Sequence, residues 1–510
     1  MAVTWNLENA AHLLRRAAFG GTPKDIQAFH DRNASASSAV DELLGFKASK
    51  NKPPYNKKDT QDLTPMHRWW FQQMIGAKKP SDACREKLTL FWHNHLVSGV
   101  SKQQFPNALA NQNQLFRINA KGNFKALVRA FHRDPANLYY LDGITNTATS
   151  ETDKDVPKAE PNENFGREVM ELFTLGVFQL GADGAFDPTH PNYTENDVHQ
   201  LARALTGWVN IDKKGVAQWF NDLPNWDGGR CDDNGDGVAD GVTIFGVTNN
   251  NFRIDDAVAG TADDVLELIF SRQDFEGNNA VAMFLARKFW KAYAYPFPAP
   301  GLKAILAPFA QLFVDSKFEI QPMLRAMWTS DEFYSDQAKS RTVKSPVELI
   351  AGSMKAFGIV KADGRSVFDS PELGDAAANM GMRLFDPPNV AGWKGGLTWI
   401  NSGTLLERLA FAKSLAASDG KKNSYKLDII PGLPKSAAAD PSVVVDAVLN
   451  FLGLNSGPTA ITDQERSELL QYATSGGATL DLSSTTTDDA RIKVRGLISL
   501  ALQLPEYMVF

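Results

Sequence analysis

Apolar residues recur along this chain mostly at spacings of three and four, the period of a helix with one buried face. Ala11, Leu13, Leu14, Ala17 and Ala18 mark a first helix, ended by Gly20 and Gly21. Thr22-Pro23 opens a second, with threonine as cap and proline at the first helical position, where no N–H is missed. Thr64-Pro65 repeats the device before Trp69, Trp70, Phe71 and Met74. The same period predicts helices over 81–96 and 107–120 and, after a break at Gly122-Asn123, over 124–132.

The clearest pattern covers 162–175. Phe165, Val169, Leu172 and Phe173 form one apolar stripe, and Glu163, Asn164, Arg167, Glu168 and Glu171 face away from it. Gly176 ends the helix. Thr194 caps the next, with Asp197 three residues on and Leu201, Ala204 and Leu205 on the buried side.

Residues 208–262 break the rhythm: they are rich in Asn, Asp and Gly and read as a long loop or small insertion. Helices resume over 263–270, 279–293, 302–315, 320–328, 346–357 and 399–417. Residues 418–440 read as a linker, and 441–510 as a last helical piece interrupted at 474–487. Strand alternation is scarce, and no solenoid-type repeat is present. The fold class is therefore mainly α, a large multi-helix globular body with a loop-rich insertion and little or no sheet. Four regions are expected: 1–207, the insertion 208–262, 263–417, and a linker with a C-terminal helical subdomain over 418–510.

Composition adds bounds. A chain of 510 residues with 43% hydrophobic and 22% charged residues can bury a large core without a disulfide or metal. The net charge is −6 and no basic stripe is present, which argues against a nucleic-acid partner. No apolar run reaches the ~18 residues of a membrane span. The first residues lack the charged-then-apolar layout of a secretion signal. The expectation is a cytoplasmic protein, one carried out by a partner, or a shortened chain. Cys84 and Cys231 are too few for a zinc site; free buried thiols are expected, with a single bridge as the alternative.

Several motifs carry a resemblance. They include the run from Leu13 to Gly20 (LLRRAAFG), that from Arg85 to His95 (REKLTLFWHNH), and that from Pro161 to Gly176 (PNENFGREVMELFTLG). Tyr193-Thr194-Glu195-Asn196-Asp197-Val198, the run from Ala202 to Trp208, Pro387-Pro388-Asn389-Val390 with Gly392-Trp393, and the closing Pro505-Glu506-Tyr507 complete the set. Together they resemble a bacterial family catalogued as domain of unknown function 1800, over nearly the whole chain. The resemblance brings no activity with it. It implies an exported or envelope protein, often encoded beside a sulfatase-like protein, and hence points towards extracellular polysaccharide. A periplasmic or extracellular location follows from it. The Asp/Asn-rich stretch after Gly207-Trp208 departs from the family's pattern, so that region is not read by analogy.

Four constellations carry candidate chemistry. Asp232-Asp233-Asn234-Gly235-Asp236-Gly237-Val238-Ala239-Asp240 fits a calcium loop. Asp232, Asn234 and Asp236 converge on a hard cation, the Val238 carbonyl adds a ligand, and Asp240 adds one directly or through water. The twelfth position is Thr243 rather than a bidentate glutamate, so a weak structural site is expected; the alternative is an ordinary acidic turn.

His93-Asn94-His95 is the second. On a regular helix the two imidazoles lie about 200° apart and do not share one metal. A hydrogen-bonded core histidine beside an exposed one is the plainer reading.

The third is acidic. Glu163 and Arg167 are spaced to pair, while Glu168 and Glu171 are close enough to repel. If partly buried, one of the latter has a raised pKa and serves as a general acid while the other activates water, the two-carboxylate logic of glycoside cleavage. Glu163 and Arg167 belong to the same catalytic set, His93 or His95 would assist, and Asn94, Asp142, Asn146, Asn162 and Asn164, with Glu195, would join the site. A solvated helix face is the plainer alternative.

The fourth is the loop from Asp386 to Trp399 with Asn401. Trp393 and Trp399 would stack on sugar faces while Asn389 and Asn401 bond hydroxyls, or the tryptophans simply anchor the loop. The function classes that remain are a polysaccharide-active hydrolase or lyase, a non-enzymatic binding or assembly protein of the envelope, and a metal-dependent hydrolase using His93, His95 and nearby acids.

Overall fold

Local signals in the sequence set the helix ends. Asn6 starts helix Leu7–Ala18 by accepting the Asn9 N–H at 2.9 Å, and Phe19 ends it with a left-handed φ of 62°. Thr22, Ser35, Thr194, Ser345, Asn401 and Thr462 each begin a helix with a reciprocal capping box. Such caps contribute about 1 kcal/mol apiece. The computed structural model describes residues 3–59, 61–102, 106–146, 161–205, 208–211, 217–219, 242–249, 264–358, 372–417, 440–475, 480 and 488–510.

Within those residues the protein is mainly α-helical. Helix Pro80–His95 lies at the centre of the N-terminal half and packs against Leu7–Ala18, Ala36–Leu44, Thr64–Ile75 and Pro106–Ile118. One buried ion pair ties this centre together. Arg117 donates to both Glu86 oxygens, the closest contact being 2.7 Å, and the Trp70 indole N–H reaches the same carboxylate at 3.1 Å. Helices Ala280–Tyr293, Leu302–Asp315 and Ile320–Trp328 form a second packed group, and Ile320–Trp328 leans on Ala36–Leu44. At the C-terminal end Ser402–Ala416 packs on Asp488–Gln503, and Pro441–Leu452 on both Asp463–Thr474 and Asp488–Gln503. One apolar core runs through these groups, from Ala10 to Tyr507. No helix among the described residues is long and apolar enough to cross a membrane.

The expected helices over 124–132, 302–315 and 320–328 match the observed bounds. Helices Ala36–Leu44, Pro135–Tyr140, Asp336–Ser340 and Glu372–Asn379 were not legible in the periodicity, because most are too short to show a repeated face. The regular helix expected over 162–175 is instead an α-helix, Glu163–Glu168, that passes into a π-helical turn, Val169–Thr174. There the Leu175 N–H reaches back five residues to the Met170 carbonyl at 2.9 Å, and Thr174 Oγ1 to the Val169 carbonyl at 2.6 Å.

Sheet is confined to three two-stranded antiparallel hairpins among the described residues. The first pairs Phe178–Leu180 with Phe186–Pro191. The others, Trp208–Ile211 with Ala217–Trp219 and Val242–Ile244 with Val247–Asn249, fall in the stretch expected as loop.

Candidate acid–base site on a π-helical turn

The segment Asn162–Glu171 is positioned by its asparagines. Asn162 Oδ1 caps the helix by accepting the Asn164 N–H at 3.1 Å, and its own N–H donates to Asn146 Oδ1 at 2.9 Å. Asn146 is fully buried and donates to the Ala202 carbonyl at 2.8 Å, while Asn164 reaches the Leu141 carbonyl at 3.2 Å. The density of asparagine thus has a structural cause: these amides tie the helix start to the preceding turn and to helix Glu195–Ala204. Asp142 sits in that turn with a left-handed φ of 60°, and its carbonyl accepts the Thr145 hydroxyl. Gly166 lets the two helices touch, since a Cβ there would stand 3.2 Å from the Ala202 nitrogen.

The charged groups divide into two sets. Arg167 pairs with Glu163 at 3.0 Å and with Glu195 at 2.6 Å, and His199 Nδ1 lies 3.2 Å from the other Glu163 oxygen. These four form a half-exposed network, with the Arg167 guanidinium held firmly charged by Glu195 first and then by Glu163. Glu168 and Glu171 form the other set. Glu168 is only 9% exposed, and its Oε2 is buried without a hydrogen-bond partner among the described residues. Burial, reinforced by the nearby Glu171 carboxylate, pushes the Glu168 carboxyl up to about 7. Glu171 is less buried and accepts the Tyr193 hydroxyl at 3.3 Å. The Tyr193 phenol is pushed up by burial and then by Glu171. Tyr140 is also raised, by burial and then by the charges of Asp386 and Glu168.

Asp386 arrives through the Pro-rich loop. That loop rests on Gly99, where a Cβ would lie 3.4 Å from both Pro387 and Tyr140 and 3.5 Å from Asp386 Oδ1. Arg383 holds the other Asp386 oxygen at 2.7 Å. The sequence marks neither Tyr140 nor Tyr193 as a site residue, and gives Asp386 only as the start of the loop that runs to Trp399. Tyr193 and Asp386 stood at the edges of quoted motifs, which is the one signal that marked them.

His93 and His95 lie elsewhere. His93 is packed among Trp70, Phe385 and Trp393, and its Nε2 accepts the Phe385 N–H at 3.0 Å. His95 is packed among Phe91, Phe124 and Phe284, and its Nε2 bonds the Phe173 carbonyl at 3.0 Å. Both are buried, so the exposed partner expected for the pair is absent. Each imidazole is committed to a backbone group on its own side of the helix. Asn94, between them, bonds the backbone of Trp393. The motif therefore clips the end of helix Pro80–His95 to the loop at 385–393 on one side and to the π-turn on the other. Among the described residues no three His, Cys, Asp or Glu side chains converge as metal ligands.

Trp393 and Trp399 are 6% and 7% exposed, which leaves their faces little room to stack on a ligand. Asn401 spends its side chain capping helix Ser402–Ala416, whereas Asn389 is exposed, with Oδ1 on the Ala391 N–H at 3.0 Å. Cys84 is a free, buried thiol. Cys231 and the calcium-loop residues Asp232, Asn234, Asp236, Val238 and Asp240 lie outside the described residues.

Fold and site together define a mainly helical protein with a buried carboxyl group at the junction of an α-helix and a π-turn. The family model described as "Protein of unknown function (DUF1800)" matches residues 12–509, and the chain belongs to that family. No curated protein and no solved structure matches it.

Proposed function

We propose that Glu168 and Glu171 are the acid–base pair of a glycan-cleaving enzyme, a hydrolase or lyase that works outside the cytosol. The observation that carries the reading is the Glu168 carboxyl, held near 7 by burial and by Glu171, with one oxygen lacking a partner among the described residues. A general acid must still hold its proton near neutral pH and must have an oxygen free to give it. Glu171, steadied by the Tyr193 hydroxyl, is the group that orients water or takes the proton. A π-helical turn, rare in general and frequent at functional sites, begins between the two residues, at Val169. In a hydrolase, Glu168 would protonate the leaving glycosidic oxygen while Glu171 activates water at the anomeric carbon; in a lyase, Glu171 would instead take the carbon-bound proton beside a uronate carboxyl while Glu168 protonates the oxygen that leaves. Glu163, Arg167 and Glu195 are positioning residues here, and His93, Asn94 and His95 hold the scaffold. The glycan class and the location rest on the family resemblance and on two-carboxylate chemistry.

The test is release of reducing ends or unsaturated sugars from a panel of neutral, acidic and sulfated bacterial polysaccharides. Wild-type protein is expected to cleave at least one of them, and Glu168→Gln to fold normally with turnover reduced at least about 100-fold. Unreduced turnover in the variant, or no cleavage of any panel member by the wild type, would reject the reading.

A second reading is a non-enzymatic assembly protein of the envelope. It is favoured by the number of motif side chains spent on backbone groups: His93, Asn94, His95, Asn146, Asn162 and Asn164 all make such bonds. On that reading Glu168→Gln stabilises the protein and changes no catalytic readout.

A further inference from the structure

A cleft lined by Arg15, Lys344 and Glu348 collects basic side chains. Helix Leu7–Ala18 supplies Arg15 and Arg16, helix Pro80–His95 supplies Lys87, Lys344 precedes helix Pro346–Ala356, and helix Ser402–Ala416 supplies Arg408. Arg16 and Arg408 are each 1% exposed, Lys87 5% and Lys344 8%. Among the described residues the carboxylate set against these five basic side chains is Glu348, which pairs with Lys87 and also accepts the Ser345 N–H at 2.7 Å. Glu8 is near Arg15 but is already paired with Lys339 at 2.7 Å.

Much of the remaining positive charge is met only by dipoles and rings. Lys344 donates to the Tyr507 carbonyl at 2.6 Å and lies 3.8 Å from the centre of its ring. Arg16 donates to the Tyr293 carbonyl at 2.6 Å and stacks 4.5 Å from the centre of the Phe510 ring. Arg408 reaches the Lys344 carbonyl at 2.9 Å. Arg16 Nη1 and both Nε and Nη1 of Arg408 are buried with no hydrogen-bond partner among the described residues. Buried guanidinium N–H groups without acceptors are costly, and an excess of buried cations over anions calls for a counter-ion. Arg15, Lys344, Glu348, Tyr507 and Phe510 line the cleft itself, with Gly20, Gly21 and Gly352 leaving its wall open.

We propose that this cleft binds an oxyanion of the phosphate or sulfate class, with the Arg15 guanidinium and the Lys344 ammonium as its direct ligands and Arg16, Lys87 and Arg408 supplying the field behind them. Arg15 is suited to the part. It is partly exposed, carries no hydrogen bond among the described residues, and lies against Gly453, where a Cβ would stand 1.8 Å from Arg15 Nη2. Glycine at that position leaves room for the guanidinium. A planar fork of N–H donors matches the edge of a tetrahedral oxyanion. The aromatic walls allow the anion to be carried on an apolar or sugar body.

The full chain is titrated calorimetrically with inorganic phosphate and with sulfate, against sodium chloride at matched ionic strength, and thermal melts are recorded in the same series. Saturable binding of phosphate or sulfate, with a rise in Tm that chloride does not give, is expected. Arg15→Gln should weaken that binding about tenfold, and Arg15→Lys should restore part of it. Phosphate and sulfate indistinguishable from chloride in the wild type would overturn the proposal, even if the variants failed to fold. Unchanged affinity in a folded Arg15→Gln protein would overturn it as well.

Discussion

Asn94 grips the peptide of Trp393 from both ends: its Oδ1 accepts the Trp393 N–H at 2.7 Å and its Nδ2 donates to the Trp393 carbonyl at 3.3 Å. The residue before, Gly392, has a φ of +71°, and a Cβ there would stand 2.4 Å from Asn94 Oδ1. The clamp therefore needs both an asparagine and a glycine. Asn94→Ala leaves two partly buried backbone groups unpaired and should destabilise the protein by about 1–3 kcal/mol. Gly392→Ala should cost more, because the clash includes the Asn94 carbonyl at 2.6 Å as well as the left-handed backbone. Urea unfolding of the two variants checks this; midpoints equal to wild type would show that the loop is held by something else.

Glu168 links stability to pH in an unusual direction. Its folded-state carboxyl sits near 7, above its ordinary range, so the folded protein binds a proton more tightly than the unfolded chain. Its contribution is favourable below the unfolded value and is lost as pH rises through the folded one, between roughly 4.5 and 7. Glu168→Gln should therefore stabilise the protein at pH 8 and do little at pH 4. The gain should be about 1–2 kcal/mol, less than the full shift because solvent still reaches part of the group. Equal effects of the substitution at both pH values would show that Glu168 is an ordinary surface carboxylate.

The buried histidines pull the other way. His12, His67, His93, His95 and His132 all have their protonation pushed down by burial, His93 to about 3 and His132 to about 4. The unfolded chain binds those protons first, so stability is complete above about 6.5 and falls as pH drops below it. His93 cannot take a proton on Nε2 and still accept the Phe385 N–H. Thermal melts should show Tm falling steeply from pH 6.5 to pH 4.5, and His93→Gln should flatten part of that slope. A Tm that stays level across the range would contradict the burial of these rings.

The helical frame was legible in the sequence because long helices repeat their apolar face several times and announce their starts with caps. Thr22-Pro23 and Thr194 with Asp197 mark two such starts, and each is a capped helix N-terminus in the structure. Short elements such as Pro135–Tyr140 give the period too little length to register. The π-turn was invisible for a different reason. Spacing of three and four reads 162–175 as one regular helix; Glu168 stands at the edge of its apolar stripe, three residues after Phe165 and four before Leu172, and is buried where the chain widens into the π-turn at Val169. Spacing gives both the pairing of Glu163 with Arg167 and the separate, mutually repelling set of Glu168 and Glu171; what lies beyond it is the contact of Tyr193 with Glu171 and the approach of Tyr140 and Asp386. The basic cleft was also out of reach, since its five basic side chains come from three helices and a loop far apart in the chain.

The calcium loop is argued from the sequence alone. Asp232, Asn234 and Asp236 stand at the first, third and fifth positions of the calcium-loop pattern, Gly237 at the sixth, and Val238 and Asp240 at the seventh and ninth, the positions that would supply further ligands to a bound ion. The twelfth position, Thr243, lies on strand Val242–Ile244, with its N–H directed at Gln200 Oε1 at 3.3 Å. The chain leaving the loop is thus tied to helix Glu195–Ala204, whose Asp197 Oδ1 also accepts the Phe245 N–H at 2.7 Å. An ion bound at 232–240 would lower the free energy of the whole anchored hairpin, not of the loop alone. We propose that calcium raises the melting temperature and chelator lowers it, with Asp236→Ala abolishing the difference while keeping the chelated wild-type value. Lacking a glutamate at position twelve, the site should be half-filled only at about 0.1–1 mM calcium, the range of extracellular modules. Identical melts with calcium and with chelator would leave the acidic run as a solvated turn.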